Sequence, residues 1–239
     1  MRLSEAQFQR DGFCQLSEAL NPKSLELLLD QRSAMEAFAT NQHVQAQTLH
    51  FMHKSIPTLK KIFTAPSLIN RLAERVDHPP GNLELLGTTL YCKKSGANGT
   101  AWHQDARFIP SDSLQAITLW VPLQPITAQS APLVFLPTSQ HHCLIEQPLP
   151  IDSFPAILSN IKPVVAAPLA PGDATIHGAW TLHGSLVNRN VKVRQALIVN
   201  YLLSPLRLNQ EDIISRTKTA TLIESIRQGN MEALQRNAL

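Results

Sequence analysis

The run "APGDATIHGAWTLHGSLVNRNVKVRQALIVNYL", Ala170–Leu202, decides the fold class of this chain. Its opening "APGDA" is a turn signal, and the segments on either side of that turn are short and either apolar or β-branched. Segments of this kind, separated by Pro, Gly, Asn and Ser, are typical of a β-sandwich or β-barrel. The run therefore predicts several short strands of such a core.

The same pattern extends upstream, where "NLELLGTTLYCKK", "LQAITLWVPLQPI" and "APLVFLP" also indicate strands. The first eighty residues instead show helical spacing, as in "NPKSLELLLDQRSAMEAFA" and "APSLINRLAERVD", each with a proline near its first turn. Helical spacing returns after the last strand. We therefore predict one domain over residues 1–239, mainly β with flanking helices: a helical N-terminal layer (1–80), a β core (83–204) and a helical tail (207–239).

Composition narrows the class of protein. Of the 239 residues, 44% are hydrophobic and 16% are charged, which suits a globular chain with a sizeable core. The net charge is +3 without a basic run, so a nucleic-acid partner is not expected. No apolar run approaches the roughly 20 residues of a membrane span. Three cysteines without CxxC spacing, and an N-terminus without an apolar signal segment, favour a cytoplasmic protein with free thiols.

The stretch "TAWHQDARF", Thr100–Phe108, carries a histidine and an aspartate two positions apart. In a strand, residues i and i+2 face the same way, so His103 and Asp105 are expected to project together. An imidazole and a carboxylate supply two of the three ligands of an Fe(II) facial triad. An isolated HxD is common, however, and is also explained by a strand-end histidine bonded to a nearby acid. A third ligand from a distant strand would distinguish the two readings.

Among nine histidines, His183 is the best candidate for that third ligand. Gly184 and Ser185 follow it, and Arg194 lies eleven residues further on. A hairpin would set His183 beside Arg194 on adjacent strands, where the arginine would hold a carboxylate through a bidentate, charge-assisted pair. His177 lies six residues before His183, but we expect a structural role for it because the triad is already complete.

Four segments resemble a known family: "FQRDGFCQL", "LYCKKSGANGTAWHQDARF", "ITLWVPLQPITAQSAPLVFLPTSQH" and the opening run. They are similar to the phytanoyl-CoA dioxygenase family of Fe(II)/2-oxoglutarate-dependent oxygenases. The last segment is the most specific, because its His, Gly, Ser, Asn and Arg fall in the family's register. The resemblance implies a double-stranded β-helix (jelly-roll, cupin-like) core. The sequence departs from the family at two loop glycines. Ala131 stands in place of one, and the family's "PGSH" reads "PTSQH" here.

The resemblance also implies roles for individual residues. The catalytic iron ligands would be His103, Asp105 and His183, and Arg194 would pair with the distal carboxylate of 2-oxoglutarate. Ser185 and Lys93 would support that carboxylate, although the adjacent Lys94 leaves the register open by one residue. Candidate substrate contacts are Trp102, Arg107, Phe108 and Trp120. The alternative for the aromatic residues is packing in the core, and the alternative for Arg107 is a surface ion pair.

The activity implied is oxidation of a small molecule by dioxygen, with 2-oxoglutarate converted to succinate and CO2. We expect hydroxylation of a secondary metabolite or an amino-acid-like molecule; desaturation, epimerisation or cyclisation would use the same chemistry. Related halogenases carry Gly or Ala in place of the carboxylate, so Asp105 argues against halogenation. The competing hypotheses are a jelly-roll metal-binding or sensing protein without turnover, and a cupin-type metalloenzyme without 2-oxoglutarate, which would not need Arg194. The sequence does not indicate an oligomeric state.

Overall fold

The computed structural model describes residues 5–41, 50–107, 116–141, 148–152 and 160–203. The predicted helical tail and Phe108 lie outside these residues. The helices are α1 (Glu5–Asp11), α2 (Pro22–Asp30), α3 (Arg32–Asn41), α4 (Met52–Ser55), α5 (Pro57–Phe63) and α6 (Pro66–Val76). The strands are β1 (Phe13–Leu16), β2 (Leu83–Lys93), β3 (Thr100–His103), β4 (Ala116–Pro122), β5 (Leu133–Phe135), β6 (Val164–Val165), β7 (Ala174–Gly178), β8 (His183–Ser185) and β9 (Arg194–Leu203).

Two of the helices begin where the sequence predicts. Asn21 caps α2 through a hydrogen bond that its side chain accepts from the backbone N–H of Ser24, and Pro22 occupies the first turn. Pro66 likewise opens α6, which buries a stripe of apolar residues and ends at Asp77 in a left-handed conformation. Local signals are sufficient here because proline and a capping side chain act on the adjacent backbone.

The strands form two antiparallel sheets, ordered β1-β7-β4-β9-β2 and β3-β8-β5-β6. Together they make the jelly-roll core that the resemblance implies. One strand was not expected: β1 lies within the first eighty residues, which were predicted to be helical, and it pairs with β7 at the edge of the larger sheet. β1 has only four residues and follows Gly12, whose positive φ turns the chain out of α1.

The larger sheet is buried on both faces. Its outer face presents Leu119, Val199 and Tyr201, and the hydroxyl of Tyr201 donates a hydrogen bond to the carbonyl of Phe63 at the end of α5 (2.8 Å). Its inner face presents apolar residues such as Trp120, together with several polar side chains. Alternation along each strand thus separates a helix-covered hydrophobic core from a second, partly polar interior between the sheets. Among the described residues, no helix is long and apolar enough to span a membrane.

Candidate metal centre

Three side chains converge between the sheets. The potential ligand atoms of His103, Asp105 and His183 all lie within 4.8 Å of one another. His103 ends β3 and pairs directly with His183, which begins β8. The Nε2 atom of each histidine is 3.8 Å from Oδ1 of Asp105. The sequence argument placed His103 and Asp105 on one strand, but Asp105 instead opens a 3-10 turn after β3. The turn, not strand alternation, brings the carboxylate to the histidines.

Backbone carbonyls set the tautomer of both histidines. Nδ1 of His103 donates to the carbonyl of Ala101 (2.8 Å), and Nδ1 of His183 donates to that of Thr181 (3.0 Å). Since a carbonyl only accepts, each neutral ring carries its lone pair on Nε2, the atom that faces Asp105. Burial lowers the pKa of His103, and burial with repulsion from His177 and His103 lowers that of His183. Both rings are therefore neutral at pH 7, as metal ligation requires.

Glycine is required directly after His183. A Cβ atom built on Gly184 would lie 2.6 Å from the carbonyl oxygen of Thr100, a backbone atom that cannot move aside. Gly184 therefore permits the close approach of β3 and β8 that sets the two histidines side by side, with ring centroids 4.2 Å apart.

The carboxylate of Asp105 uses its two oxygens differently. While Oδ1 faces the histidines, Oδ2 accepts a hydrogen bond from the hydroxyl of Thr118 (2.6 Å) and lies 3.2 Å from Nε2 of His177. Burial alone would raise the pKa of Asp105, but the facing His183 and His177 outweigh it and hold that pKa below its ordinary value. His177 was assigned a structural role from sequence; the structure instead places it against a candidate ligand. The available signal was a histidine within the buried strand "ATIHG".

A second feature of the interior is a pair of buried cations, Lys93 and Arg194. They are direct partners across β2 and β9. Nζ of Lys93 donates to the hydroxyls of Ser185 (2.7 Å) and Thr100 (3.1 Å), whereas Lys94 is exposed. Neither cation forms an ion pair with a carboxylate of the described residues. The expectation that a hairpin sets His183 beside Arg194 on adjacent strands was wrong, because Arg194 lies in the larger sheet and His183 in the smaller one.

The guanidinium of Arg194 contacts two aromatic rings but does not use all of its hydrogen-bond donors. It lies 5.4 Å from the ring centroid of Tyr91 and 5.2 Å from that of Trp120, yet its Nε and Nη1 atoms are buried without a hydrogen-bond partner in the described structure. Burial lowers the pKa of Arg194 to about 10. Burial and the charge of Arg194 lower that of Lys93 to about 7. Two cations without an anion among the described residues are chemically suited to bind a carboxylate.

Of the predicted substrate contacts, Trp120 lies near the site and Trp102 does not. Trp120 lies between the sheets, against Arg194. Trp102 does not reach the site, because it points away from His103 to the other face of the smaller sheet. There it packs with Val134, Leu136 and Leu182, and its indole N–H donates to the carbonyl of Ile151 (2.9 Å). Trp102 is thus a packing residue, as the alternative reading had it. The backbone of Arg107 lies in the turn with Asp105, and its side chain and Phe108 are outside what the structure describes.

A jelly-roll that encloses two histidines, a carboxylate and a pair of buried cations has the architecture of the cupin-like 2-oxoglutarate oxygenases. The sequence matches the family described as phytanoyl-CoA dioxygenase (PhyH) over residues 8–196. The chain therefore belongs to the phytanoyl-CoA dioxygenase family, as the resemblance indicated. No curated protein matches the sequence.

Several solved structures share the fold. The epimerase SnoN, in complex with Fe3+, alpha-ketoglutarate and nogalamycin RO, is 20% identical with a TM-score of 0.69, covering 85% of this chain and 86% of SnoN. The carbocyclase SnoK from nogalamycin biosynthesis is 16% identical with a TM-score of 0.68, covering 89% of each chain. EctD from S. alaskensis, with 2-oxoglutarate and 5-hydroxyectoine, is 19% identical with a TM-score of 0.68, covering 86% of this chain and 77% of EctD. At these identities the likeness establishes the fold alone.

Proposed function

We propose that this protein is an Fe(II)- and 2-oxoglutarate-dependent oxygenase that acts on a small molecule. The observation that carries the proposal is the presence, in one interior, of a His-Asp-His cluster and a Lys93–Arg194 cation pair that forms no ion pair with any described carboxylate. Two neutral imidazoles and one carboxylate are the donor set of non-haem Fe(II) oxygenases, which leave open positions on the metal. A buried cation pair has no role in binding that metal, but it suits a co-substrate with a second carboxylate.

The spacing of the two features fits 2-oxoglutarate. His183 and Ser185 are two residues apart in β8, so they share a face and lie roughly 6.5 Å apart along the strand. That distance is comparable with the separation of the two carboxylates in a five-carbon diacid. Ser185 in turn accepts the hydrogen bond from Lys93. A diacid held by Lys93 and Arg194 at one carboxylate would therefore extend its 2-oxo acid end towards the ligand cluster.

Each part of the chain then has a defined task. The residues that would hold the iron are His103 and His183 through Nε2 and Asp105 through Oδ1. Iron bound there supplies oxidative chemistry that couples the decarboxylation of 2-oxoglutarate, to succinate and CO2, to substrate oxidation. Arg194 and Lys93 are buried between the two sheets, and burial would strengthen their charge interactions with the co-substrate. Trp120 and Tyr91 keep the guanidinium in place between their rings.

Hydroxylation of a secondary metabolite or an amino-acid-like molecule is the outcome we propose. Enzymes named as an epimerase and a carbocyclase share this fold, so epimerisation, cyclisation and desaturation are the alternative outcomes of the same hydrogen abstraction. Asp105 occupies the place where halogenases need space for a halide, which supports oxygen chemistry. A binding protein without turnover would not need to retain all of His103, Asp105, His183 and Arg194.

Anaerobic titration of Fe(II) followed by 2-oxoglutarate tests the cofactor assignment. We expect a weak visible charge-transfer band that His183→Ala abolishes. Bound iron without such a band in the wild-type protein would refute the proposal. Succinate release screened over a metabolite panel then identifies the substrate. The product mass distinguishes gain of one oxygen, loss of two hydrogens, and no change, which correspond to hydroxylation, desaturation or cyclisation, and epimerisation.

A further inference from the structure

We propose that Thr118 and His177 are positioning residues that hold Oδ2 of Asp105 and so reserve Oδ1 for the metal. The inference rests on the proposed function, because it concerns the same ligand cluster. It assigns a role to two residues that lie outside the ligand set and outside the co-substrate receptor.

The direction of the hydrogen bonds at Thr118 is unambiguous. The side-chain amide Nδ2 of Asn200 can only donate, and it donates to Oγ1 of Thr118 (2.9 Å). The carboxylate of Asp105 can only accept, so the hydroxyl proton of Thr118 points at Oδ2 (2.6 Å). Asn200 thereby fixes the orientation of the Thr118 hydroxyl. The two hydrogen bonds, from Asn200 to Thr118 and from Thr118 to Asp105, therefore run in one direction only.

His177 reaches the same oxygen from the other side. Its side chain is 1% exposed, and its Nε2 lies 3.2 Å from Oδ2 of Asp105, so Nε2 must carry a proton. Its Nδ1 is buried without a hydrogen-bond partner in the described structure. The ring packs against Phe135 and His183, with centroids 5.3 and 4.1 Å away. A phenylalanine would fill this space without burying an unsatisfied nitrogen, so the contact with Asp105 accounts for the imidazole.

The two positioning residues and Asn200 share one rung of the larger sheet. Thr118 in β4 is the direct partner of His177 in β7 and of Asn200 in β9. Asp105 itself lies in a turn beyond the end of β3. Because the three strands are paired, their side chains hold Asp105 in one position even though Asp105 does not itself lie in a strand. Without this rung the carboxylate would be able to rotate and offer both oxygens to the metal, occupying a position that the co-substrate or dioxygen needs.

A matched pair at position 118 tests this. Thr118→Val keeps the shape and removes the hydroxyl, while Thr118→Ser keeps the hydroxyl. The measurements are the affinity for Co(II), used as an oxygen-stable probe, and the visible spectrum of the Co(II) protein. We expect Thr118→Val to weaken binding about 10- to 100-fold and to change the spectrum. Thr118→Ser should restore both to near wild-type values.

His177→Phe and His177→Gln form the second pair, since glutamine retains an N–H donor and phenylalanine does not. The phenylalanine variant should weaken Co(II) binding while the melting temperature of the metal-free protein is unchanged or raised. Wild-type affinity and spectrum in both Thr118→Val and His177→Phe would overturn the inference and leave the proposed function standing. A wild-type protein that fails to bind Co(II) or Fe(II) would overturn both.

Discussion

Replacing Arg194 with methionine should have opposite effects on the free protein and on its complex with 2-oxoglutarate. The guanidinium is buried, and in the part of the chain that the structure describes it has two unpartnered nitrogen atoms and no carboxylate beside it. Methionine retains a long side chain and removes the charge. The ligand-free fold should therefore be at least as stable as wild type, whereas the stabilisation by 2-oxoglutarate should disappear.

The magnitude follows from the environment of the side chain. Burial lowers the pKa of Arg194 to about 10, which at about 1.4 kcal/mol per pK unit is a cost on the order of 3 kcal/mol for holding the charge. The ring contacts with Tyr91 and Trp120 return roughly 0.5–2 kcal/mol each. The ligand-free variant should thus lie between unchanged and about 2 kcal/mol more stable. Loss of the charged partner should cost about 2–5 kcal/mol of 2-oxoglutarate binding, or roughly 30-fold to several thousand-fold in Kd.

Thermal unfolding with Mn(II) present, with and without 2-oxoglutarate, measures both effects. Arg189→Met is the control, because Arg189 is an exposed arginine in the same β8–β9 connection. The control should keep the wild-type shift on adding 2-oxoglutarate. If Arg194→Met melts several degrees lower while keeping that shift, the arginine is a structural residue and the receptor assignment is wrong.

Two further predictions concern Lys93 and Thr138. The pKa of Lys93 is lowered to about 7 in the free protein. Because a bound anion favours the charged form of Lys93, the affinity for 2-oxoglutarate should be highest below about pH 7. Above that pH the affinity should fall by up to about tenfold per pH unit. Calorimetric titration over a pH series should show this slope in wild type and not in Lys93→Met; parallel profiles would contradict it. Thr138 has a φ of 63°, so Thr138→Gly should relieve about 1–2 kcal/mol of backbone strain, of which the flexibility of glycine cancels about 0.5–1 kcal/mol. Urea unfolding should show a small net stabilisation, while the control Thr64→Gly, at a φ of −110°, should destabilise; a less stable Thr138→Gly would refute the strain argument.

Much of the fold was predictable because its signals are local. Pro22 and Pro66 mark helix starts, and alternating or β-branched runs mark the strands of the core. β1 escaped prediction because its four residues carry no period of their own. They become a strand only by pairing with β7, as Phe13 does with His177. The pairing information lies more than 150 residues away in the chain.

The candidate site was also predictable in part. The spacing of His103 and Asp105 and the "HGS" after "TL" made the ligand set recognisable. The physical reason offered for that spacing was wrong, because Asp105 reaches the cluster from a turn. Trp102, next to a candidate ligand in sequence, faces the opposite side of the sheet. Neighbours in sequence therefore gave poor guidance to neighbours in the site.

The sequence by itself determined the family of the protein, because its motifs match the phytanoyl-CoA dioxygenase family, and that resemblance implies the jelly-roll core, the candidate iron ligands and the candidate carboxylate anchor. Only the tertiary structure decided that Lys93 and Arg194 are adjacent, without an ion-pair partner among the described residues, and that Thr118, His177 and Asn200 form one rung behind Asp105. Strand register creates these contacts, and register depends on which strands meet across the whole chain. A single threonine or asparagine within an apolar strand has no distinguishing signal until its partner is placed opposite it.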